Sequence, residues 1–338
     1  MITTYMLIFA GALALVIGVT PLMRRLAPQI GLMDKPHPRK VHTTPMPLMG
    51  GVALYAAIVG VLLLFQDRYW VSQLVSILVG ATWVSFLGMW DDRWGLKPAL
   101  KLGGQVVGAL ILVVSGVHVD LVQSAWLNSL ITIVWVVGIT NAMNLLDNVD
   151  GLSGGIAAIA AAFFLLMASL NGQFLVASLS AALLGAAIGF LVYNFNPASI
   201  FMGDAGSLFI GFVLAAIGIK VRFPGHPALF TWFIPILILG IPIFDTTLVF
   251  ISRWRRRRNP FTAPGQDHLS HRLIARGWTR REAVLLLYLA AAALGVFAMF
   301  CAQAGGWENY LVLGMAFIGA LAALWKFEFD SNGIRNAG

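Results

Sequence analysis

The chain has 338 residues, 59% of them hydrophobic and only 11% charged, with a formal net charge of +8. A soluble globular domain carries about 25% charged residues, and apolar stretches recur here along the whole length, which excludes a soluble domain with one anchor and marks a polytopic membrane protein. The positive balance does not point to nucleic acid, since no basic groove interleaved with aromatics stands outside the apolar stretches; an excess of Lys and Arg in inner loops accounts for it.

At about 20 apolar residues per crossing, the sequence predicts an all-α fold of about eleven transmembrane helices. They fall near 4–23, 50–66, 71–90, 102–118, 124–142, 153–171, 174–193, 205–220, 228–252, 282–303 and 307–326. The fourth and eighth are short for a straight span. Met1-Ile2-Thr3-Thr4 lacks the positive region of a signal peptide, so the first stretch is expected to stay as a helix. Its Arg24-Arg25 flank predicts an N-terminus outside and a C-terminus in the cytoplasm. No linker, shift in composition or internal repeat divides the chain, so 1–338 reads as a single membrane-embedded domain. The single Cys301 lies in an apolar run and reads as a small core residue.

Charge tests this orientation. Of the 22 Lys and Arg, only Arg68, Lys220 and Arg222 fall in outer connections; the rest lie inside, as the positive-inside rule requires. The same map puts five polar blocks on one side: His37–Met49, Asp91–Lys101, Asn141–Gly151, Asn194–Asp204 and Gly265–Arg272. Carboxylates are costly at a bilayer, so their gathering there predicts a cytoplasmic site.

Within those blocks, Asp91-Asp92 closes the third apolar run, where two carboxylates could hold a hard cation or share acid–base work. A solvated helix end is the plain alternative, though acidic residues do not favour a C-terminal end. Asn144, Asp147 and Asp150 recur every three residues, so a helical turn would align them on one stripe, while an Asx-rich turn would not. Asp204, between Gly203 and Ala205-Gly206, fits an N-cap, a metal ligand or both. His268 and His271, three apart, could bind metal or donate to phosphate oxygens. Without Cys partners and amid oxygen ligands, Mg²⁺ is favoured, with Mn²⁺ as the alternative. The Arg255–Arg258 run is a positive-inside stop. Asp245 stands inside the ninth span, where a functional role and a hydrogen bond to a neighbouring helix weigh equally. Carboxylates, basic residues and a divalent cation at a membrane surface together point to phosphoryl transfer onto a lipid head group. A secondary transporter would put its ionisable residues near the midplane, and here only Asp245 is deep.

Asp34-Lys35-Pro36, Arg39-Lys40-Val41-His42 and Pro45-Met46-Pro47-Leu48-Met49-Gly50-Gly51 resemble the first cytoplasmic loop of polyprenyl-phosphate N-acetylhexosamine-1-phosphate transferases. Asp91-Asp92-Arg93 with Lys97, Lys101 and Gln105, then 144–152, 194–207 and 267–273, continue the resemblance in the family's order over nearly the full chain. The WecA/TagO branch is the more similar. Ser270 breaks the three consecutive histidines of the MraY branch, and equally departs from the His-x-His-His form of WecA/TagO, which leaves the sugar open.

The resemblance implies transfer of GlcNAc-1-phosphate from UDP-GlcNAc to undecaprenyl phosphate in a bacterial inner membrane, with another UDP-sugar as the alternative. It implies Asp91 as the base toward the lipid phosphate, Asp92 in support of it or of the metal, and Asp204 as metal ligand. Asp150, Asn194 and Phe201 would line a uridine pocket, and Asn144 and Asp147 would lie near metal or diphosphate. His268, His271 and Arg272 would contact phosphate or sugar. Lys97 and Lys101 would neutralise the lipid phosphate, and Lys40 would join the substrate-binding set. A homodimer is compatible with it.

Overall fold

The protein, seen here as a computed structural model, is described over residues 1–34, 44–65, 71–223, 227–260, 265–303 and 307–329. Lys40 lies outside them. The predicted apolar stretches coincide with helices: α1 (Ile2–Ile30), α2 (Gly50–Leu64), α3 (Val71–Trp94), α4 (Pro98–Val114), α5 (Ala125–Leu146), α6 (Leu152–Leu170), α7 (Phe174–Asn194), α8 (Gly203–Lys220), α9 (Ala228–Ile238), α10 (Gly240–Arg255), α12 (Arg280–Gln303) and α13 (Trp307–Glu328). A short α11 (Leu269–Ala275) carries the histidine block, and two residue pairs, β1 (Met33–Asp34) and β2 (Met46–Pro47), form an antiparallel bridge after α1. Among the described residues the fold is all-α apart from that bridge.

By length and composition, eight helices among the described residues can cross a membrane, or nine if α9 and α10 count as one broken span. The predicted ninth helix is the one that breaks: α9 and α10 meet at 74°. Pro242 has no N–H to return to Ile238 and Gly240 offers no side chain to stiffen the junction, which together explain the bend. α2 and α4, at 15 and 17 residues, reach roughly 22 and 26 Å at 1.5 Å per residue, short of a 30 Å hydrocarbon core.

The chain packs as two compact units, Met1–Arg222 and Phe223–Gly338. In the first, α8 is the axis: every residue from Ala205 to Ile219 is buried, and α3 and α5 pack on it. α7, nearly as enclosed, is flanked by α1 and α6. In the second, α12 packs against α9, α10, α11 and α13. Leu311, Phe317, Ile318 and Trp325 on α13 are exposed, which suits a helix face solvated by lipid rather than water. This is a multi-pass membrane protein.

Candidate active site

Glycine lets the two central helices of the first unit touch. A Cβ on Gly88 in α3 would collide with the carbonyl of Asp204 at the start of α8. That approach carries the last turn of α3 up to the first turn of α8. α3 runs on past the predicted boundary at 90, so Asp91 and Asp92 sit within its final turn. There the Asp92 carboxylate accepts the backbone N–H groups of Asp204 (2.9 Å) and Ala205 (3.0 Å). Gly203, at φ 67°, makes the turn into α8 with its missing Cβ only 2.6 Å from Asp92, a conformation L side chains avoid. Asp92 thus caps α8 from another helix, and the N-terminal end of the α8 dipole favours its charge.

Asp204 is held from its other side. Asn144 Nδ2 donates to its Oδ1 at 2.7 Å and to Ser207 Oγ at 2.9 Å. Lys101 Nζ makes a short contact with Asp204 Oδ2, an ion pair with Asp91 Oδ2 at 2.9 Å and a hydrogen bond to Asn144 Oδ1 at 3.3 Å. Asp91 also receives the Leu96 N–H at 2.6 Å, which folds the chain back after α3 so that α4 can deliver Lys101. Behind Lys101 the amides of Gln105 and Asn141 bond to each other. Lys97 is exposed.

Asp147 follows the end of α5 and caps its C-terminus, where the helix dipole disfavours a negative charge. No described side chain bonds or ion-pairs with its carboxylate. Burial pushes its pKa up to about 8, with repulsion from Asp204, Asp92 and Asp150 adding to the effect. The expected single stripe of Asn144, Asp147 and Asp150 does not form, because the helix ends at Leu146 and the chain turns through left-handed Gly151. Asp150 instead points into the next loop, accepting Asn196 Nδ2 and the Ala198 N–H, both at 3.0 Å. Asn194 is buried, accepting from Gly151 N–H and donating to the Ile200 carbonyl. Phe201 is partly exposed; its N–H donates to Pro47 and its carbonyl receives Gly50 N–H. The second, third and fourth predicted polar blocks therefore meet at one end of the first unit, joined by Pro47 from the described part of the first block.

The fifth block belongs to the second unit. Asp267 is ion-paired with Arg256 at 2.8 Å and Arg253 at 3.4 Å. His268 Nδ1 lies 2.8 Å from Asp245 Oδ2, and Asp245 Oδ1 accepts the Leu269 N–H at 2.6 Å. His271 stands with its ring centroid 6.0 Å from that of His268; burial, with repulsion from His268, lowers its pKa. Arg272, expected on substrate, pairs with Glu328 at 2.9 Å and donates to the Phe327 carbonyl at 2.6 Å. Arg255 grips the same Glu328 at 3.0 Å, and Arg276 lies over the Phe327 ring. These arginines cover the C-terminal end of α13, where cations suit the dipole.

Residues 74–222 match the model of glycosyl transferase family 4. Over 314 residues the chain is 36% identical to a Bacillus subtilis protein named "Probable undecaprenyl-phosphate N-acetylglucosaminyl 1-phosphate transferase", spanning 90% of this chain and 87% of that one. This chain belongs to the polyprenyl-phosphate N-acetylhexosamine-1-phosphate transferase family. It is similar as well to the decaprenyl-phosphate N-acetylglucosaminephosphotransferase of Mycobacterium tuberculosis, at 34% over 303 residues, 79% of this chain and 75% of that one. The undecaprenyl-phosphate α-N-acetylglucosaminyl 1-phosphate transferase of Escherichia coli K12 is 28% identical over 315 residues, 87% of this chain and 84% of that one.

The family match covers Asp91, Asp92, Lys101, Asn144, Asp147 and Asp204. In this phosphotransferase, no three His, Cys, Asp or Glu side chains among the described residues converge into a ready-made metal site. The donors nonetheless suit a hard cation: Asp147 is a carboxyl group without a counter-charge, whose proton a cation would displace, and Asp204 already draws the Lys101 ammonium. Sequence reasoning left out Ser207, Asn196 and Glu328. Ser207 lies one helical turn beyond Gly203 on the sequence motif already noticed, whereas Glu328, alone near the end of the last span, gave only its charge as a signal.

Proposed function

We propose that the protein transfers GlcNAc-1-phosphate from UDP-GlcNAc to undecaprenyl phosphate at the cytoplasmic face of the inner membrane, starting a lipid-linked polysaccharide. The observation that carries this reading is the cluster of Asp91, Lys101, Asn144 and Asp204 at the joined ends of α3, α4, α5 and α8. The names of the relatives support the acceptor and the sugar. The lopsided charge split supports the cytoplasmic face.

In the reaction a lipid phosphate oxygen attacks the β-phosphorus of the nucleotide sugar, and the bond to the α-phosphate breaks to release UMP. Direct displacement needs positioning and charge neutralisation above all. Asp91 receives a proton from the lipid phosphate, and Lys101 and exposed Lys97 balance its charge. Asn144 fixes the Asp204 carboxylate. Asp92 acts by capping α8 and so aiming Asp204. Asp150, Asn194 and Phe201 shape the loops that receive the uridine. A divalent cation, Mg²⁺ or Mn²⁺, on Asp204 and Asp147 would neutralise the diphosphate, completing its shell from substrate oxygens and water.

The test mixes purified protein, undecaprenyl phosphate, Mg²⁺ and a panel of UDP-sugars, and follows UMP and lipid-linked sugar. UDP-GlcNAc is expected to give both. Unchanged nucleotide across the panel refutes the reading, and turnover with a different UDP-sugar alone corrects the donor. Asp204→Asn is expected to abolish turnover; a near-normal rate removes it as a ligand.

A further inference from the structure

The arginines that end α10 are not used alike. Arg253 and Arg256 turn to Asp267. Arg255 pairs with Glu328, and its guanidinium lies 4.6 Å from the centre of the Phe329 ring. Arg257 and Arg258 are exposed, and among the described residues neither guanidinium is paired.

The backbone sets Arg257 apart again. Its N–H returns to the Trp254 carbonyl at 3.0 Å, and the Arg258 N–H to the Arg253 carbonyl at 2.9 Å, which puts Arg257 in the left-handed region at φ 56°. The same pair of bonds ends α1, α4, α6 and α11, where the left-handed residue is Gly31, Gly116, Gly172 and Gly277. Glycine is usual there because a Cβ strains that conformation. Among the described residues Arg257 is the single non-glycine at positive φ. A positive-inside stop needs only enough charges on one side, and it gives no reason to put one where glycine folds better.

On the helix behind them, Phe250 and Trp254 stand one turn apart and are 43% and 72% exposed, whereas Leu248, Val249 and Ser252 are buried. Rings in that position suit lipid: a Trp at the end of an apolar span lies at head-group level. Arg257 and Arg258 follow within one further turn. An apolar ring, an interfacial indole and then two guanidinium forks match in order an acyl chain, a glycerol backbone and a phosphate, whose oxygens the forks fit.

We propose that Trp254, Arg257 and Arg258 bind the head group of an anionic phospholipid at the end of α10. The site lies wholly in the second unit and is independent of the transfer reaction.

The full-length protein is reconstituted in phosphatidylcholine vesicles, and phosphatidylcholine or phosphatidylglycerol with brominated acyl chains is titrated in as quencher. Trp254 emission is the difference from Trp254→Phe in the same background. In the parent, the brominated anionic lipid is expected to quench Trp254 at lower mole fraction than the zwitterionic one, and 1 M salt should weaken that preference. Neutralising each arginine, as Arg257→Gln or Arg258→Gln, should lower the preference about 5-fold, and Arg257→Lys should keep most of it. Arg257→Gly should lower the preference equally while melting above the parent in neutral detergent, since its backbone strain is relieved. Equal quenching of the parent by both lipids, a preference that survives in the double variant, or an Arg257→Gly that melts at or below the parent overturns the proposal. A preference for undecaprenyl phosphate without one for phosphatidylglycerol would make this a contact to the acceptor, and overturns it too.

Discussion

Replacing Lys101 with methionine keeps most of the aliphatic stem and deletes the charge between Asp91 and Asp204. The ammonium faces both carboxylates, at 2.9 Å from Asp91 and closer to Asp204, with side chains 16%, 14% and 30% exposed. Two unit charges about 4 Å apart attract by roughly 4 kcal/mol at an effective dielectric near 20 and by about 1 kcal/mol in water. Partial exposure places each pair toward the lower end, so losing both costs about 2–3 kcal/mol. For a unit of some 220 residues this lowers Tm by about 4–12 °C. The loss should shrink when Mg²⁺ is added, because a divalent cation can take the position the ammonium left. The assay is thermal unfolding in detergent, parent against Lys101→Met, with and without millimolar Mg²⁺. Equal Mg²⁺ stabilisation of parent and variant would refute the idea that lysine and metal answer the same carboxylates. An unchanged Tm would refute the ion pairs themselves.

Asp92→Asn should leave one of its two helix-capping bonds and set a donor against the other N–H, costing about 1.5–3 kcal/mol; turnover should fall with it, and a variant of parental stability would return Asp92 to a direct role. Asp147 holds its proton to about pH 8 when folded but to about pH 3.9 when unfolded. Between those values the folded state binds more protons, so stability falls as pH rises. In metal-free buffer, Asp147→Asn should lose less Tm than the parent between pH 5 and 8, and parallel curves would contradict this. Glu328→Gln should lower Tm by several degrees through Arg272 and Arg255, which would be left facing a neutral group. A limited-proteolysis pattern identical to the parent's around 265–276 would argue against that clamp.

Much of the helical architecture was legible because hydropathy alone marks a lipid-facing helix, and each predicted stretch but the ninth, which falls on two, coincides with one. The 74° break was not, since Gly240 and Pro242 both occur in straight membrane helices when neighbours compensate. Motif spacing brought out Asp91, Asp147 and Asp204 because acids at apolar boundaries stand out. It could not separate Asp204 from Asp92: which carboxylate caps and which faces the cluster depends on how closely Gly88 lets α3 approach α8. For the same reason the ion pair of Arg272 was not legible. Its partner, Glu328, lies 56 residues on, and no local pattern joins them.

Asp92 is made 112 residues before the α8 amides it receives. As the nascent chain threads into the bilayer, α8 emerges with its leading N–H groups lacking a partner within the helix, a costly state once packing buries them. Docking against α3 relieves it, so the order of synthesis leaves a waiting acceptor in place. Assembly of the first unit can therefore conclude on the helix that presents Asp204.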